Sequence, residues 1–211
     1  MSVKYQDPFK MVLWPAFTDL VIGLFAILVF TLIISIIQQT GQARQIEIQK
    51  EKIEEISRQN EKLEEDLQDA INAGLISVKD GHIDIMTNIL FATGSSEINT
   101  HGRELLKSLV VPLTNFISNN ADILMISGFT DDKPIHTHQF SSNWELSTAR
   151  ATEVVRQLTD HGFPSNRIFA AGFGEYHPIV ANSDNRNRQR NRRVEISRIS
   201  IELPEMHAEG Q

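Results

Sequence analysis

ADILMISGFTDD, residues 121–132, sets the reading of the fold. ADILMISGF (121–129) is a nearly continuous apolar run, the pattern of a strand covered on both faces. It ends in Gly128 and an acidic pair, Asp131 and Asp132, and loops after buried strands are where α/β proteins put their ligand groups. Downstream, residues 142–161 read as a helix. Leu146, Ala149, Val154 and Leu158 form its stripe, and Gly162 and Pro164 end it. RIFAAGFGE (167–175) reads as a third strand and RRVEISRISIEL (192–203) as a fourth, alternating one. Upstream, SVKDGHIDI (77–85) flanks Asp80-Gly81, a strong hairpin signal. NILFATGSSEI (88–98) reads as strand and loop. Residues 100–119 read as a helix that Pro112 breaks or kinks. Strands separated by helices predict an α/β sandwich with helices on a mixed sheet.

Further upstream the composition changes. Residues 42–73 are rich in Glu, Lys and Gln and hold no proline. With Ile46 at heptad position a, Ile53, Asn60 and Leu67 also fall at a, while Gln49, Ile56, Leu63 and Ala70 fall at d. The spacing predicts a short parallel coiled coil, with Asn60 fixing the register of a homodimer because a buried amide needs its twin. The competing reading is a solvated single helix with i,i+4 charge pairs.

Before that lies WPAFTDLVIGLFAILVF (14–30). From Met11 to Ile37 the only charge is Asp19. A helix of that length spans roughly 40 Å and crosses a bilayer. A cleaved signal peptide competes, but the run exceeds an h-region and no small-x-small site follows. Lys4 and Lys10 precede the span and Arg44 is the first basic residue after it. The expectation is a single pass in the inner membrane, N-terminus cytoplasmic and the rest periplasmic. A carboxylate at a helix centre costs about 2.5–3.5 kcal/mol. Ala16, Asp19, Gly23 and Ala26 share one face, where small residues permit close helix approach. A headgroup-level Asp19 is the alternative, since Leu20 to Ile37 is long enough alone.

The expected organisation is therefore a tail (1–10), a transmembrane helix (11–37), a helical linker (38–74), an α/β domain (75–203) and a flexible tail (204–211). The 211 residues carry a net charge of −7 and no cysteine. That excludes disulfides and thiolate metal sites and disfavours nucleic acid as the main partner, despite the basic run NRQRNRR (187–193). His136 and His138 lack a full ligand set, so no metal is expected. No nucleophile with a base and no phosphate loop is legible, so no enzyme activity is expected.

FATGSSEI, GFTDD, LSTARA, GFGEYHPI and NRRVEI occur in order over roughly residues 89–201, and this region resembles the OmpA-like peptidoglycan-binding domain. NWELSTARA with TDD upstream looks most like its MotB branch. The resemblance implies that the domain holds the diaminopimelate of a wall stem peptide, which carries an ammonium and a carboxylate. An aspartate for the first and an arginine for the second is the minimum physical answer, and by motif position the resemblance implies Asp131 and Arg150. Asn191 and Arg193 are candidates for further contacts. A structural Asp131–Arg150 salt bridge is the plainer alternative. Phe129 stands where the family often has His, which puts any contact of that His in doubt. WxxFxDLxxGLxxIxxF looks like the membrane signature of MotB-type subunits. The resemblance then implies that Asp19 carries H+ or Na+, with two such helices inside a ring of multi-span MotA- or ZorA-like subunits and no cofactor. The short tail and the polar QQTGQARQ after the span lean towards a ZorB-like subunit of Zorya anti-phage defence. A flagellar MotB-like stator and a passive OmpA-like envelope anchor are the alternatives.

Overall fold

The structure, a computed structural model, describes residues 8–117 and 122–200. The expected tails at 1–7 and 204–211, and the end of the helix expected to reach Asn119, lie outside them. The chain divides into two units, residues 1–56 and 57–211.

The first unit is helix α1, Pro8–Asp66, whose last turns belong to the second unit. From Phe17 onward it is long and apolar enough to cross a membrane, and its apolar window is unburied. The helix runs from the apolar segment into the expected linker and ends at Asp66, short of the boundary expected at residue 74. Thr18 donates to the Trp14 carbonyl (2.8 Å) and Thr31 to the Leu28 carbonyl (2.8 Å), so both hydroxyls serve their own helix. Asp19 and Gly23 are exposed, and a methyl added at Gly23 would meet nothing within 4 Å.

The second unit begins inside α1, earlier than the boundary expected at residue 75. Leu63 and Leu67 are buried in its core, whereas Ile46 and Ile53 on the same heptad stripe are exposed. Burying leucines against the chain's own domain removes them from a seam between two chains. Asn60 sits over the hairpin: a Cβ on Gly81 would lie 2.7 Å from its Oδ1. Arg198 fastens the same turns, donating to Gln59 and lying 4.5 Å over the Phe116 ring.

After the short α2 (Gln68–Asn72), strands β1 (Ser77–Lys79) and β2 (His82–Met86) form the expected hairpin. Asp80 and Gly81 take φ of 52° and 78°, the paired positive values that a two-residue turn of this hand requires. Next come α3 (Thr87–Leu90), α4 (Thr100–Phe116), β3 (Asp122–Phe129), α5 (Asn143–Asp160), β4 (Ile168–Gly174), α6 (Asn185–Asn191) and β5 (Arg193–Ser200). The sheet order is β1-β2-β5-β3-β4, with β3–β4 parallel and the other pairs antiparallel. The expected α/β sandwich on a mixed sheet is present.

Three local expectations change. NILF is not a strand: it forms α3, and Phe91 makes only an isolated bridge to Ile98. Pro112 does not interrupt α4, because Leu109, Val110, Leu113 and Phe116 bury both flanking turns and outweigh one lost backbone bond. The strand β3 is buried on both faces only from Ile126 to Phe129; before that, Ile123 and Met125 are half-buried.

Helix α5 lies directly on the strand ends. A Cβ on Gly128 would come within 2.1 Å of the Ser147 carbonyl, and one on Gly172 within 2.1 Å of Thr148 Oγ1. Only glycine permits that approach, and it brings the first turns of α5 against the acidic loop after β3.

Candidate functional site

The N-terminus of α5 is fixed by a Ser142-x-x-Glu145 box. Ser142 Oγ accepts from the Trp144 amide (3.2 Å), and Glu145 accepts from the Ser141 and Ser142 hydroxyls (2.7 and 2.5 Å). Those hydroxyls hold the Glu145 carboxyl below its usual range. Locking this turn sets the direction in which Asn143, Leu146 and Arg150 project.

All three line a cavity of about 350 Å³, together with Phe91, Asp131, Lys133 and Arg192 among others. Asp131 is 5 % exposed. Its Oδ2 accepts from Arg192 Nη1 (2.5 Å) and its Oδ1 from the Lys133 amide (3.2 Å). Arg150 is 4 % exposed, lies 5.4 Å over the Phe91 ring, and donates through Nε to the Ser95 carbonyl (3.0 Å). Among the described residues no partner is found for its two Nη groups, so the forked edge of the guanidinium is open to a ligand. Burial pulls Arg150 down to about 10, with Arg192 adding to the shift and Asp131 opposing it, so it stays charged at neutral pH. The cavity thus offers an arginine fork and a carboxylate, the pair that a zwitterion requires.

The structure brings Asp131 and Arg150 to one cavity, but they are not each other's ion-pair partner. That partner is Arg192, which lies between the two expected residues Asn191 and Arg193. Those two are placed elsewhere. Asn191 is fully buried: its Oδ1 accepts from the Ile179 and Val180 amides, and its Nδ2 donates to the Val180 carbonyl and Asn182. That amide closes the 179–182 loop. Arg193 stacks 3.8 Å over Phe129 and stands 3.4 Å from Asp84 and 3.6 Å from Glu195. Burial lowers the Arg193 pKa against the pull of Asp84 and Glu195, and raises that of Asp84 despite Arg193. Phe129, stacked on Phe173 at 5.1 Å, therefore serves as an apolar bed for Arg193. Arg188 pairs with Asp132 (2.7 Å), which holds that exposed carboxyl below its usual range. His136 bonds the Ser141 carbonyl (3.2 Å) within the loop.

Residues 90–192 match the OmpA family. Motility protein B of Bacillus subtilis (strain 168) is 31% identical over 166 residues, covering 75% of this chain and 58% of that protein. This chain spans about half the length of the curated relatives it matches. Among solved structures, a MotB-like protein from Desulfovibrio vulgaris is 30% identical with a TM-score of 0.64, covering 73% of this chain and 99% of that one. The cell wall anchor of the T6SS from Pseudomonas aeruginosa is 31% identical with a TM-score of 0.59, covering 66% of this chain and 97% of that one.

Proposed function

This chain belongs to the OmpA family with MotB-like relatives, and from that premise we propose that it is a wall-anchored, stator-type subunit of an ion-driven motor in the bacterial inner membrane. The observation that carries the wall-binding half is the open Nη edge of Arg150 in the cavity that also holds Asp131. A diaminopimelate residue of a stem peptide presents a carboxylate to Arg150 and an ammonium to Asp131. Arg192 and the Lys133 amide keep the Asp131 carboxylate aimed while lone pairs remain for the ammonium. The test is co-sedimentation of the full chain, in detergent, with purified peptidoglycan sacculi. Retention should be lost in Arg150→Ala and competed by free meso-diaminopimelate; undiminished retention of the variant would remove this site.

The membrane half rests on Asp19. In a dry, protein-lined site the ionised carboxylate is disfavoured, so an arriving H+ or Na+ neutralises it and its departure restores the charge. Each state favours a different packing against surrounding helices, and one charge crossing 100 mV supplies about 2.3 kcal/mol. The partners proposed are a second copy of this chain and a ring of MotA- or ZorA-like multi-span subunits. The polar stretch after the span, with helix running directly onward, leans towards the ZorB-like defence subunit. The likeness to a motility protein supports a flagellar stator as the second reading. The likeness to the T6SS wall anchor supports a passive tether. Co-purification with a multi-span partner separates the motor readings from the tether.

A further inference from the structure

A second cavity, of about 240 Å³, shares no lining residue with the first. Leu75, Ile76, Met86 and Ile179 supply its apolar side, and Asp84 and Arg193 its polar side. Both sides are held from outside the cavity. Asn191 Oδ1 accepts from the Ile179 and Val180 amides and so fixes the loop that carries Ile179. The Arg193 guanidinium lies 3.8 Å over the Phe129 ring, and its Nη1 donates to the His177 and Asn191 carbonyls (both 3.5 Å). The polar side is nevertheless unfinished. Arg193 is 4 % exposed, and its Nε has no hydrogen-bond partner among the described residues; nor has Oδ1 of Asp84, 3.4 Å away. A buried donor and a buried acceptor are each costly to leave unpaired, and these two stand open side by side. On the apolar side, Met86 and Ile179 remain 36 % and 49 % exposed.

We propose that this second cavity docks an extended, acidic peptide segment of a partner protein, anchored by one large aliphatic side chain. In an extended residue the N–H and the C=O lie on the same edge, so a single residue donates to Asp84 Oδ1 and accepts from Arg193 Nε. Its side chain then enters the apolar side, the combination of main-chain bonds and a side-chain pocket by which extended peptides are read. The cavity admits a leucine-sized group, whereas the methyl side chains of a wall stem peptide would leave most of it empty. Charge selects an acidic segment. Two arginines, Arg190 and Arg193, face one aspartate in the lining, and exposed Arg190 has no ion-pair partner among the described residues. The site is independent of the wall-binding reading above.

The test follows the isotope-labelled methionine methyl groups of the full chain, in detergent, by NMR. Met86 lines the cavity and Met125 does not. Acetyl-leucyl-aspartyl-amide should shift the Met86 signal saturably and leave Met125 in place. Acetyl-glycyl-aspartyl-amide should bind about tenfold or more weakly, the loss expected when no aliphatic side chain is buried. Acetyl-leucyl-lysyl-amide should bind about threefold more weakly, the size of an exposed charge effect. Asp84→Ala should weaken the leucyl-aspartyl peptide about fivefold, and Ile179→Ala should erase most of the preference for leucine over glycine. Residue 179 is exposed, so the second variant decides the matter even if the first does not fold; an unmoved Met125 signal reports an intact fold. No saturable Met86 shift in wild type, equal affinity for the leucyl and glycyl peptides or for the aspartyl and lysyl ones, or undiminished binding by a folded variant overturns the site. Equal binding of a wall stem peptide at Met86 overturns it too, and none of these results touches retention on sacculi through Arg150.

Discussion

The two units deal with charge in opposite ways. In the C-terminal unit the cavity carboxylate is surrounded: Asp131 has Arg192, the Lys133 amide and a rim of polar side chains within one chain. In the apolar helix Asp19 is exposed amid a sleeve of exposed Leu, Ile, Phe and Val. On the proposed reading, a wall-binding site is complete in a single copy, whereas an ion-carrying carboxylate would take its surroundings from other chains. That difference says where to test each half of the proposal: the wall grip within this fold, the ion path in an assembly.

The comparison is sharpened first by separating the two halves genetically. Asp19→Asn should abolish motor output, read as phage resistance or swimming, while sedimentation with sacculi stays normal. Near-normal output would take Asp19 out of the mechanism. Arg150→Ala should do the reverse at the wall, weakening retention roughly thirtyfold or more, the size of loss typical when one partner of a buried charge pair is truncated. Arg150→Lys should rescue only partly, because an ammonium lacks the fork.

A third substitution asks where the second unit starts. Leu63→Ala should lower that unit's unfolding free energy by about 2–5 kcal/mol, the range for large-to-small core changes. Ile53→Ala, on the same stripe but exposed, should change it by less than about 0.5 kcal/mol. Equal costs would return both residues to an intermolecular seam. The smallest effect concerns acid. Arg188 depresses the Asp132 carboxyl, so that pair's stabilisation is complete above the ordinary carboxylate value of 3.8 and lost as pH falls through the lower folded value. Comparing denaturant midpoints at pH 6 and pH 3, wild type should lose slightly more than Asp132→Asn; identical losses would mean that the pair contributes nothing.

Much of this architecture was legible in the chain itself. The Asp80-Gly81 turn, the apolar stretch of β3 and the capped, amphipathic α5 each carry a local signal that agrees with the fold. Asp131 and Arg150 were legible through the family resemblance, by their positions in the GFTDD and LSTARA motifs, and the structure brings them to one cavity. Other features depended on tertiary context. A heptad stripe reads the same whether Leu63 and Leu67 dock on their own domain or on a second helix. Pro112 is a local breaker that packing overrides. NILF has strand composition, yet the turn into the cavity wall folds it as α3. In NRR, three consecutive polar residues gave no means of choosing which one faces the carboxylate. Strand alternation from Arg193 onward sends that side chain onto Phe129, and Arg192, just before the strand, reaches Asp131. Helix α6 has an Asp184 cap but no apolar stripe, so it read only as a basic run.

The absence of cysteine from the chain makes the central claim open to one direct measurement. Asp19→Cys places a single thiol at the position in question. In membranes where the chain is assembled with its ring partner, the account expects this thiol to resist a bulky, membrane-impermeant maleimide from either side, and to react once the assembly is unfolded in denaturant. Rapid labelling in the intact membrane would put residue 19 in water at the headgroups and contradict the account.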